Sequence, residues 1–139
     1  MTEDVPQGYQ SWPFDRGFEP LVGPLYLRLD GSNAKVAFRV ASHHLNIRGH
    51  LHGGMLMTLI DEAIAIAATH SLGSDAAFAT ISLNCDFVAP GEKDDWVEAE
   101  AELVRHTRRL LFARAQAVVG QKLLVTASGI NRVFHSAGS

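Results

Sequence analysis

The stretch from His43 to Glu62, HHLNIRGHLHGGMLMTLIDE, gathers the side chains of this chain best suited to chemistry. Gly53 and Gly54 stand where a long apolar run begins. In the first turn of a helix the backbone N–H groups lack intrahelical acceptors and carry the positive end of the dipole, so such a start attracts oxyanions. Two glycines also let a carbonyl oxygen approach without a Cβ in the way, as a carbonyl-polarising site requires. The same pair equally suits a tight loop leading into a helix with no ligand at all.

Asp61 falls seven residues after Gly54 and returns to nearly the same helix face, beside Met57, Ile64 and Ala65. A carboxylate projecting from an apolar stripe is costly unless it is paired or used. It can serve as a base for water, or as a structural acid that caps a neighbouring backbone or pairs with an arginine. Glu62 lies about 100° further round, in line with Thr58 and Thr69, on a face expected to be solvated or in an interface.

Along a helix Gly53 and Asp61 are about 12 Å apart. A base must lie within hydrogen-bond reach of its water, and that water must lie near the polarised carbonyl. One helix cannot present both groups to one substrate. If they act together, the N-terminus of one subunit's helix faces Asp61 of another, as antiparallel packing of two such helices about a two-fold axis allows. His43, His44, His50 and His52 cluster in the same stretch. In an extended segment His50 and His52 point the same way, which is one ingredient of a metal site. No HExxH run or cysteine pair accompanies them, so no metal is expected.

The elements that must position these residues follow from periodicity. Residues 25–30 and 35–40 alternate apolar with polar around the turn Gly31-Ser32-Asn33, which reads as a hairpin. An irregular stretch, 42–52, leads into a helix from Gly53 that stops near Leu72-Gly73. Ile81, Leu83, Cys85 and Phe87 alternate with Thr80, Ser82, Asn84 and Asp86 up to the break at Ala89-Pro90-Gly91. Residues 97–103 form a strand with one wet face, and 111–119 with 123–133 a final hairpin around Gly120. One apolar helix against an antiparallel sheet of about six strands, an α+β arrangement with the sheet wrapped around the helix, gives each hydrophobic face a partner layer. The sheet keeps open edges and one helix covers little of it, so self-association is expected.

Composition limits the alternatives. A chain of 139 residues with 47% hydrophobic and 19% charged residues suits one domain over 1–139, with 1–16 as a partly irregular N-terminal extension. A net charge of −3 with only 12 Lys and Arg argues against nucleic acid as a partner. Cys85 is the single cysteine, so no intrachain disulfide forms. The N-terminus lacks the basic start and apolar run of a secretory signal, and a cytoplasmic location is expected. The run from Met55 to Leu72 is apolar enough to suggest a membrane span, but a central Asp costs roughly 2.5–3.5 kcal/mol on insertion, which favours a buried helix and no membrane. Trp12, Phe14 and Phe18 are expected to pack over the sheet. No Gly-x-Ser-x-Gly elbow of a serine hydrolase is present.

Asn46, Gly49, His52-Gly53-Gly54, Asp61 and Ala63, with Phe87-Val88-Ala89-Pro90 after a strand, together resemble the hot-dog thioesterases of the phenylacetate-pathway (PaaI) type. The core pattern Asn-x5-His-Gly-Gly-x6-Asp joins four residue types in order to a helix start, and the similarity runs from about residue 17 to residue 134. The resemblance implies a hot-dog fold and hydrolysis of an acyl-CoA thioester, with coenzyme A as part of the substrate and no further cofactor. It implies that Asp61 activates water or attacks the thioester carbonyl from a neighbouring subunit. The Gly53 N–H and the Asn46 side chain would hold the carbonyl oxygen, with Gly54 beside them in the substrate site. His52 would support the loop and the sulfur side, and Thr80, or its neighbour Ser82, would orient the water. Where the family often shows Arg-x-Gly-Arg, this chain reads Arg105-His106-Thr107-Arg108-Arg109, with Thr in place of Gly. Arg105 and Arg108 are candidates for the coenzyme A phosphates, the plain reading being an exposed basic hairpin tip. A homodimer or, as is common in the family, a homotetramer is implied.

Two other functions use the same fold: a hot-dog hydratase, which carries an Asp/His pair at the helix start where this chain has Gly-Gly, and a non-catalytic acyl-CoA binding or sensing module. A passive pocket gains nothing from an acid facing a thioester, so Asp61 favours catalysis. The acyl group stays open, since a pocket of Met, Leu and Ile takes aromatic and aliphatic chains alike.

Overall fold

Alternating strands and one apolar helix leave few ways to bury both faces, and the computed structural model, which describes residues 4–73 and 75–135, shows the α+β solution. The strands are β1 (Gln10–Ser11), β2 (Tyr26–Asp30), β3 (Asn33–Arg39), β4 (Ala77–Phe87), β5 (Trp96–His106), β6 (Leu110–Val119) and β7 (Lys122–Phe134). The helices are α1 (Glu19–Val22) and α2 (Gly53–Leu72), with a 3-10 turn at Ser42–His44. All seven strands join one antiparallel sheet in the order β1-β2-β3-β5-β6-β7-β4. The count exceeds the expected six because the two-residue β1 pairs with β2, and a piece that short has no alternation to read.

Helix α2 lies in the hollow of the sheet. Leu59, Ile60, Ala63, Ile64 and Ala68 face inward and are buried against Val36, Phe38, Val97, Leu111 and Leu124. Small residues set the approach of helix to sheet: a Cβ added at Gly129 on β7 would lie 2.8 Å from Ile64 Cδ1. The helix ends at Gly73, whose φ of +93° places it where a side chain is strained.

The N-terminal segment straps both sides of the sheet. Tyr9 donates to the Glu98 carboxylate and sets its ring edge-on to Trp96 at 5.2 Å. Trp12 donates its backbone N–H to the Leu25 carbonyl at 3.0 Å, and its ring meets Phe14 edge-on at 5.6 Å. Further along, α1 lies over the outward face of α2, bringing Glu19 onto Glu62. The opposite border of the sheet is different. Strand β4, 11 residues long, is unpaired along one side among the described residues and leaves Ile81 (58%) and Phe87 (50%) in solvent.

Candidate active site

The start of α2 is built by its own flanking residues. His52 is extended (φ −68°, ψ 133°), and its Nδ1 accepts the Gly54 N–H at 2.8 Å. A Cβ at Gly54 would come within 2.9 Å of that nitrogen, so the second glycine is what lets the imidazole cap the helix. Gly54 therefore contributes through the cap, its N–H being engaged. Among the described residues the Gly53 N–H has no acceptor. Asn46 folds the preceding loop onto itself: its Oδ1 accepts from the N–H of Arg48 at 2.9 Å and of His50 at 3.1 Å, and Gly49 closes the turn at φ +87°. With the carbonyl end of the amide occupied, the Nδ2 end is left as donor. Asn46 and Gly53 line a cleft of about 350 Å³ whose apolar walls are Leu51, Leu56 and the 87–90 segment Phe-Val-Ala-Pro.

Asp61 is half-buried on the outward side of α2, and its Oδ1 accepts from Thr80 Oγ1 at 2.6 Å. Thr80 reaches it through a break in the strand's alternation. Thr80 pairs with Asn131 and Ser82 with Ile130, so Ile81 is an extra residue in β4. The bulge turns Thr80 toward the helix and leaves Ser82 on the other face, where it accepts from Asn84 Nδ2 at 3.3 Å. Of the two hydroxyls named as water-orienting candidates, Thr80 is the one beside Asp61.

Glu62 is half-buried against Glu19 and is not freely solvated. Burial, and then a hydrogen bond to the Glu19 carboxylate, push its pKa up to about 8. The same hydrogen bond holds Glu19 below the usual carboxylate range. The pair thus shares one proton at neutral pH.

The four histidines go to separate partners. His43 Nε2 meets the Gly23 carbonyl at 2.8 Å, His44 Nδ1 accepts the Ala41 N–H at 2.9 Å, His50 pairs with Glu92 at 3.1 Å, and His52 caps α2. The arginines also separate. Arg108 lines a cleft of about 370 Å³ with His106, Thr107, His135 and Leu72 at the far end of α2. Arg105 is exposed on β5 opposite Phe112, outside that cleft. Thr107 does the turn-forming task of the missing glycine: its Oγ1 accepts the N–H of Leu110 at 3.0 Å and of Arg109 at 3.3 Å. One residue near Asp61 went unread in the sequence. Asn131 on β7, buried and beside Thr80, breaks the apolar inward row of Ala127, Gly129 and Val133, and that interruption was its signal.

A long helix held in a curled antiparallel sheet defines the hot-dog class, and here the helix starts at a glycine pair capped by His52, with an acid two turns further on. The family model described as thioesterase superfamily matches residues 48–126, from the Asn46 loop into β7. An esterase of Pseudomonas aeruginosa, so named by inference, is 32% identical over 133 residues, covering 95% of this chain and 97% of its own length. Human acyl-coenzyme A thioesterase 13 is 25% identical over 114 residues, 81% of this chain and 80% of that protein. Among solved structures, a variant of the phenylacetic acid degradation protein PaaI of Thermus thermophilus superposes with a TM-score of 0.72 at 30% identity, covering 82% of this chain and 96% of the other. The chain belongs to the thioesterase superfamily, in its PaaI-type hot-dog branch, and is a thioester hydrolase.

Proposed function

We propose that this chain hydrolyses acyl-CoA thioesters at a site shared by two protomers. The observation that carries the reading is the state of Asp61: a half-buried carboxylate with one oxygen held by Thr80 at 2.6 Å, no counter-cation beside it among the described residues, and its second oxygen left to take a proton from water. The Gly53 N–H and Asn46 Nδ2 are the two donors suited to the oxyanion that forms when water adds to the thioester carbonyl. They lie about 12 Å along α2 from Asp61 of the same chain, so the donors come from one protomer and the base from its mate. Pairing of two β4 edges about a two-fold axis would set the two α2 helices side by side and antiparallel, and the open, partly apolar β4 supports that assembly. In the reaction Asp61 takes a proton as the water oxygen bonds to the carbonyl carbon. Collapse of the tetrahedral species breaks the C–S bond, and the proton taken by Asp61 passes to the departing sulfur, releasing the acid and the coenzyme A thiol and restoring the carboxylate. His52, with Nδ1 occupied, keeps Nε2–H as a free donor beside the helix start. The helix end that borders the Arg108 cleft is about 16 Å from Asp61 along the axis, a span that a pantetheine arm can bridge, and it makes Arg108 the better phosphate ligand of the two arginines.

Human acyl-coenzyme A thioesterase 13 acts, by its name, on acyl-CoA, which supports this substrate class. The test is release of free thiol from a panel of acyl-CoA thioesters of differing acyl group, with Asp61→Asn as control. Thiol release by the wild type and its loss in the variant are expected. An undiminished rate in Asp61→Asn would remove Asp61 as the base.

A further inference from the structure

Beside the contact between Thr80 and Asp61 lies a polar side chain that the reaction above leaves idle. Asn131 is 3% exposed, and its Oδ1 is buried with no protein partner among the described residues. An unpartnered buried carbonyl costs roughly 1–3 kcal/mol. A leucine at this position would carry no such cost. Asn131 pairs in register with Thr80 on β4 and with Leu111 on β6. Directly paired residues of antiparallel strands project from the same face, with Cβ atoms about 4.5–5.5 Å apart. Leu111 is fully buried under α2, which fixes that face as the helix side. Asn131 therefore projects from the same face as its register partner Thr80, whose single hydrogen goes to Asp61 and whose lone pairs take no donor among the described residues.

We propose that Asn131 is a positioning residue: its amide donates to Thr80 Oγ1, directly or through one water, and so commits the Thr80 hydrogen to Asp61. A threonine hydroxyl turns about its C–O bond and can spend its hydrogen on other acceptors. A donor fixed on its oxygen removes those alternatives and polarises the next bond in the chain. Asp61 Oδ1 is then held in one orientation with Oδ2 toward the water. The amide's two ends have nearly equal size, so a half-turn presents either one without displacing Leu111. The cost of the buried amide is of the kind a fold carries at a functional site. This role rests on Asp61 acting as the base.

The experiment compares Asn131→Leu, Thr80→Val and the double variant, reading kcat and KM for thiol release together with Tm. For Asn131→Leu a fall in kcat on the order of ten-fold is expected, the scale on which orienting partners act elsewhere. KM should stay unchanged, and Tm should hold or rise, because an apolar side chain of similar size replaces an unpartnered amide. In the Thr80→Val background Asn131→Leu should change kcat no further. Asn131→Ser, which keeps a donor, should recover part of the loss. If Asn131→Leu folds poorly, Asn131→Ala gives the same kcat comparison. Wild-type kcat in the folded variant, or losses that simply add to those of Thr80→Val, would overturn the relay. Asp61→Asn separates the two levels: if it is inert while Asn131→Leu is fully active, the relay alone fails, whereas a fully active Asp61→Asn removes the base and this role together.

Discussion

At the scale of single residues, two adjacent acids on one helix have opposite fates. Asp61 meets a hydroxyl donor, as the proposed base requires, whereas Glu62 meets another carboxyl and keeps its proton. Loss of the base in Asp61→Asn should lower kcat by roughly 10²–10⁴, the usual worth of a general base, with the chain still folded by circular dichroism. The Glu62 pair predicts a pH dependence of stability. Its folded pKa of about 8 lies above the ordinary 4.5, so between these values the folded state holds a proton that the unfolded state has released. Stability from this group is therefore full below pH 4.5 and falls as pH rises toward 8. Glu19, lowered by the same bond, acts the other way and loses its contribution as pH drops below the carboxylate range. Melting curves from pH 5 to 9 should show Tm of the wild type declining, while Glu62→Gln, which keeps a donor to Glu19, stays flatter. Parallel curves for the two proteins would refute the shared proton.

At the scale of elements, the site depends on how closely α2 sits on β4 and β7. Gly129 permits that approach, since a Cβ there would press on the buried Ile64 one turn from Asp61. Gly129→Ala is expected to cost about 1 kcal/mol or somewhat more from overpacking, and to lower kcat by shifting Asp61 relative to Thr80. Trimming the facing side chain with Ile64→Val should restore much of the lost Tm in the double variant. Urea unfolding of the four proteins reads this directly, and strictly additive penalties would show that the two groups do not collide.

At the scale of the whole molecule, the roughly 12 Å between helix start and acid would make the proposed active site a property of the assembly. The proposal has a sharp consequence for mixed oligomers. A chain with Asp61→Asn keeps its Gly53 and Asn46 donors, and a chain with Asn46→Ala keeps its acid, so a hybrid pair owns one complete site. Co-expressed in equal amounts, the two weakened variants should recover about a quarter of wild-type activity, because half the pairs are hybrids with one working site of two. No recovery beyond the sum of the two variants would place the site within one chain. Replacing the exposed Ile81 of β4 by lysine should lower both oligomer mass in light scattering and activity, by putting charge on the edge through which the sheets are proposed to join.

The sequence by itself determined the long helix, its glycine start and the succession of the six longer strands along the chain, because hydrophobic period and turn chemistry are local. It also marked Asp61, since an acid on an apolar stripe demands a reason. What only the tertiary structure decided were the choices that depend on register and on distant partners. Regular alternation placed Thr80 and Ser82 on one face, and a single extra residue at Ile81 separated them. Glu62 read as a surface acid until α1, more than forty residues earlier in the chain, supplied Glu19. Asn131 acquired meaning only when pairing set it beside Thr80. A bulge, a cross-strand neighbour and a long-range carboxyl pair each follow from how the chain closes on itself, and no local pattern of residue types encodes them.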